Sequence, residues 1–138
     1  MVALTAFVAA LVGVFAGRTV LPQPSHTGAE LHALLHERLD LDAAQRAKLG
    51  AIESDFGKAR RTLETRLRAD NARLADAIAT EHVYGPRVAA AVDASHRSMG
   101  ALQKATLQHV FAMRAILRPD QAAKFDVAVD KALTAATE

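Results

Sequence analysis

The chain has no cysteine and no tryptophan. The missing thiols exclude disulfides, thiolate zinc sites and cysteine nucleophiles. Aromatic residues make up 4% of a chain that is 51% hydrophobic, with Ala, Leu and Arg abundant. That balance argues for long helices over sheets. An excess of one charge is also lacking: 17 Lys and Arg face 15 Asp and Glu, a formal net of +2. From Lys58 to Arg73 the two signs are interleaved, the pattern of a solvated helix face and not of a stripe that binds nucleic acid. At 138 residues there is room for one domain and a targeting segment.

Long apolar runs are absent except at the start. Val2 to Gly17 carries no charge, Arg18 ends the run, and Pro22 and Pro24 open a linker. The run is short for a membrane span of about 20 residues and long for a signal core of about 7–15. Val14-Phe15-Ala16 offers a small-residue cleavage site, and no Lys or Arg precedes the run. An uncleaved anchor is favoured over a cleaved signal, and either places the remainder in a periplasm-like space. The expected organisation is a membrane anchor or signal segment over 1–21, a linker over 22–28 and a helical domain over 29–138.

The expected fold is all-α: an antiparallel helical hairpin with two shorter flanking helices. A first helix starts at Thr27 or Gly28 and runs to about Leu39, with Leu31, Leu34, Leu35 and Leu39 as its apolar stripe. Asp42 and Gln45 have the spacing of a capping box at the start of a long second helix. Leu49, Ile52, Phe56, Leu63, Leu67, Leu74 and Ile78 mark one face of that helix, and Tyr84-Gly85-Pro86 breaks the pattern. In the third helix Val88, Val92, Ser95, Met99, Leu102, Thr106, His109, Met113 and Ile116 recur in alternating steps of four and three, a coiled-coil-like seam. Pro119 suits the first turn of a short fourth helix with Phe125, Val129 and Leu133 on its face. A tight turn between two long helices makes them antiparallel. So slender a hairpin calls for a second copy to complete its core.

Five side chains are competent to hold a metal. His32 and His36 stand one helical turn apart, His109 and Met113 repeat that spacing, and Glu53 lies between the pairs. Three imidazoles, a carboxylate and a thioether make a mixed donor set suited to Ni²⁺ or Co²⁺, with Zn²⁺ able to bind without the thioether. Folding the chain about residues 81–86 sets position 109 opposite a position near 57, within about one helical turn of Glu53. His109 and Met113 lie on the seam facing the second helix, and a short connection returns the first helix to the same open end. His26, His82 and His96 read as surface residues, with His26 and His82 as secondary candidates.

The stretches His32-Ala-Leu-Leu-His36, Thr65 to Asn71, Leu74 to Ile78 and Ala105 to Arg114 resemble the CnrX and NccX family of membrane-anchored periplasmic nickel–cobalt sensors. The resemblance covers about His26 to Glu138. It implies that His32, His36, Glu53, His109 and Met113 are the metal ligands. It also implies a membrane anti-sigma protein as signalling partner, an extracytoplasmic-function sigma factor released in turn, induced metal efflux, and a homodimer without nucleic-acid binding or catalysis. More distant relatives are the periplasmic CpxP, Spy and ZraP proteins, whose Leu-Thr-x-x-Gln repeats survive here as Leu41 to Gln45 and Leu117 to Gln121. Asp42 replaces the Thr of the first repeat and keeps its capping role, whereas Arg118 leaves the fourth helix less well capped.

Two other functions fit parts of the pattern. A periplasmic chaperone of the Spy or ZraP kind would bind clients on an exposed apolar face and give Met113 no special purpose. A metallohydrolase fits poorly: within His32-x-x-x-His36, Ala33 stands where metalloproteases carry their general-base Glu.

Overall fold

The computed structural model describes residues 31–134, and every regular element among them is helical. The expected anchor, the linker and the start of the first helix lie outside the described residues. None of the described helices is long and apolar enough to cross a membrane. The described chain forms two compact units, one of residues 31–40 and 125–134, the other of Leu41–Lys124.

In the first unit, α1 covers residues 31–38. Its second part, Leu34–Arg38, is a π-helical turn, where an α-helix was expected throughout. Leu31, Leu35 and Leu39 are buried as the apolar stripe requires, and α1 ends at Leu39 before Asp40 enters the left-handed region at φ 45°.

The second unit is built on α2 (Ala43–Glu81) and α3 (Pro86–Ala115), packed as an antiparallel hairpin. With 39 residues, α2 is about 58 Å long at the usual helical rise. Its start is the expected capping box: the Gln45 N–H donates to Asp42 Oδ1 (2.8 Å), and the Asp42 N–H donates to Gln45 Oε1 (3.1 Å). Its end is a left-handed His82 (φ 55°) whose N–H donates to the Ile78 carbonyl.

The turn works through Glu81. Its carboxylate accepts from the N–H groups of Arg87 (3.0 Å) and Val88 (2.9 Å), satisfying donors that the first turn of α3 leaves open. A Cβ at Gly85 would lie 2.7 Å from Glu81 Oε2, so a side chain there displaces the cap. Pro86, at the first helical position, has no N–H to satisfy.

The hairpin seam departs from the expected repeat in its middle. Val88, Ser95, Ser98 and Met113 of α3 are buried, whereas Met99 is 53% exposed and Thr106 is exposed. Opposite, Ala77 is buried and Ile78 is 52% exposed. In the middle of the seam Ser98, one position before the expected Met99, is the residue turned to α2. Polar chemistry holds it there. The Ser98 hydroxyl donates to the buried Asp70 carboxylate, which also takes an ion pair from Arg73, and Ser95 donates to Asn71 Oδ1 (2.6 Å).

A short connection leads to α4 (Pro119–Thr134). Its N-terminus has half a capping box: the Arg118 N–H donates to Gln121 Oε1 (3.0 Å), and the Arg118 guanidinium turns to Asp120 (3.6 Å). Phe125 is fully buried and Val129 half-buried, but Leu133 is 65% exposed, so the expected face does not extend to the end of α4.

Candidate metal centre

The candidate donors fall on both units. In the first, His32 in the opening turn of α1 and His36 in its π-helical part bring their rings into contact. The ring centroids lie 4.3 Å apart at a 34° tilt, and both rings are exposed. Both can therefore present a ring nitrogen to solvent from one side of α1.

In the hairpin unit, the expected register is observed. His109 stacks flat on Phe56, with centroids 4.1 Å apart and planes 7° from parallel. Position 109 thus faces position 56, and Glu53, half-buried one helical turn before Phe56, comes close enough for its charge to act on the imidazole. Met113, one turn after His109 on α3, is 5% exposed.

The electrostatics suit a ligand. Burial lowers the pKa of His109 below the ordinary 6.5, and the Glu53 carboxylate partly offsets this. The neutral imidazole, the form that binds metals, is therefore favoured. His109 Nδ1 is buried and has no hydrogen-bond partner. An unsatisfied buried ring nitrogen is costly, and a metal or a proton-donating partner would relieve that cost. A hard carboxylate, a borderline imidazole and a soft thioether on facing helices fit a borderline transition ion.

Of the other histidines, His82 serves as the left-handed cap of α2, His96 is exposed on α3, and His26 lies outside the described residues. Phe56, named in the sequence only as a seam residue, proves to be the partner of His109. The signal was present, since folding about 81–86 sets 56 opposite 109.

Comparison with known proteins places the chain in a metal-resistance setting. The model of a family described as heavy-metal resistance matches residues 2–124. The chain belongs to the heavy-metal resistance family. One relative, the nickel and cobalt resistance protein CnrR of Cupriavidus metallidurans, is 48% identical over 97 residues. The match covers 70% of this chain and 66% of the relative, just under two thirds of the relative's length. The resemblance to CnrX-type members of the family, first carried by the residues around His32, His36, His109 and Met113, is thereby supported over most of the chain.

Proposed function

We propose that the protein is a periplasmic sensor of Ni²⁺ or Co²⁺, with His32, His36, Glu53, His109 and Met113 as ligands of one ion. The observation that carries the reading is His109: a buried ring nitrogen without a partner, beside the Glu53 carboxylate, one turn from the buried Met113. The nickel and cobalt resistance of the relative supports the choice of ion. Zn²⁺ binds through the nitrogen and carboxylate donors and has no need of the thioether. Five protein donors leave little room for an activated water, and no catalysis is proposed.

Sensing follows from the division of the donors. His32 and His36 belong to one unit and the other three to the hairpin. An ion that takes ligands from both favours the state in which they are joined. At 100 times its dissociation constant, a ligand specific for one state stabilises it by about 2.7 kcal/mol. The joined state is read by a membrane anti-sigma protein, which releases an extracytoplasmic-function sigma factor and induces efflux. An N-terminal anchor holds the sensor at the inner membrane.

A homodimer completes the hairpin. Met99, Leu107 and Phe111 on α3 are 53%, 40% and 67% exposed, an apolar surface that a second copy would cover. The same surface favours one alternative, a metal-binding chaperone of the Spy or ZraP kind that holds unfolded clients there. Calorimetric titration with nickel, cobalt and zinc tests the sensor. Tight, stoichiometric binding lost in His109→Ala supports it, whereas suppression of client aggregation without tight metal binding supports the chaperone.

A further inference from the structure

The remnants of the two Leu-Thr-x-x-Gln repeats meet at the open end of the hairpin. Gln45 is 7% exposed and Gln121 2%. The Gln45 amide donates to Gln121 Oε1 at 2.7 Å, and the Gln121 amide donates back to Gln45 Oε1 at 3.4 Å. Each oxygen also receives the backbone N–H at the start of its own helix, Asp42 for Gln45 and Arg118 for Gln121. Capping needs only these oxygens. The Gln45 nitrogen has a separate use: it donates to the carbonyl of Ile116 at 2.9 Å.

Ile116 closes α3, and its N–H turns back to the carbonyl of Met113 at 3.3 Å. The last turn of α3, with the buried Met113, is therefore tied to the first turn of α2 by one amide group. A thioether is a weak ligand on a flexible side chain, so its contribution depends on where its backbone is held. We propose that Gln45, locked by Gln121, is a positioning residue for Met113 and so tunes discrimination between thioether-using Ni²⁺ or Co²⁺ and Zn²⁺. This rests on the proposed ligand set.

Gln45→Glu separates the two uses, because a carboxylate still accepts from the Asp42 N–H but cannot donate to Ile116. Gln121→Ala frees the Gln45 amide by a second route and serves if the first variant folds poorly. Nickel and zinc affinities of the full chain are measured for the wild type, each glutamine variant, Met113→Ala and the corresponding double variants. Sulfur coordination is read by X-ray absorption of the nickel-loaded protein.

The expected result is a nickel affinity lowered about tenfold in the glutamine variants, zinc affinity nearly unchanged, and the nickel–sulfur signal lost. Added to Met113→Ala, either glutamine substitution has no further effect on nickel. Equal weakening of both metals, additive effects with Met113→Ala, or a retained sulfur signal would overturn the positioning role while leaving the ligand set intact. Loss of nothing in Met113→Ala alone would remove Met113 from the ligand set, and the inference with it.

Discussion

His109 lies flat against Phe56, ring centroids 4.1 Å apart, so that an aromatic face from α2 sets the plane of an imidazole on α3. The stack also supplies part of the burial that keeps the ring neutral. Phe56→Ala removes both effects. Its stability cost is that of a half-buried aromatic, about 1–3 kcal/mol by denaturant unfolding. Cobalt affinity is expected to fall further than for Leu63→Ala, a half-buried seam residue away from His109. Equal losses in the two variants would show that the stack contributes only packing.

The lowered pKa of His109 has a definite sign in stability. The folded state disfavours the imidazolium, so below the ordinary value of 6.5 the unfolded chain binds more protons. Metal-free protein is therefore expected to lose stability as pH falls from about 7 through this window toward the lowered folded value. In His109→Gln the loss is smaller. Protons and metal also compete for the same nitrogens, so metal affinity weakens below about pH 6. A metal-free stability curve with the same slope in wild type and His109→Gln would contradict the assignment.

The buried carboxylate of Asp70 depends on Ser98 and Arg73. Ser98→Ala leaves one oxygen without its hydroxyl donor and should cost about 1–3 kcal/mol in urea unfolding. Replacing both groups, as in Asp70→Leu with Ser98→Ala, should recover much of that loss, since an apolar pair leaves nothing unsatisfied. A double variant weaker than the sum of the single ones would refute the interpretation.

At the hairpin turn, Gly85→Ala is expected to displace the Glu81 carboxylate from the start of α3. The loss of this cap should cost about 1 kcal/mol, measured as a lower thermal midpoint. In the background Glu81→Ala the same substitution should be close to neutral.

The elements that could be read in the sequence are those specified by local chemistry. Asp42 and Gln45 announce a capping box, Gly85-Pro86 a turn, and the distance from that turn to His109 sets the hairpin register, all of which the structure shows. What could not be read depends on three dimensions. The alternating repeat points to Met99, but pairing with the buried Asp70 carboxylate turns Ser98 inward instead. The π-helical turn beneath His36 leaves no mark in composition. Gln45 and Gln121 were visible as repeat remnants, yet their pairing across 76 positions emerges only when α4 begins beside α2. For the metal centre, sequence supplied the donor types and spacing, and the structure adds the stacked ring and the buried nitrogen of His109.

The most direct test of the account is cobalt titration of the full chain, followed calorimetrically and by visible absorption, for wild type, His32→Ala and His109→Ala. One tight site per chain is expected in the wild type, with ligand-field bands of an ion held by protein nitrogen and sulfur. Either substitution should abolish it, because the proposed ligand set gives both residues to the same ion. Sub-micromolar affinity retained by His32→Ala or His109→Ala, or a wild-type spectrum of mostly aquated cobalt, would contradict the shared site.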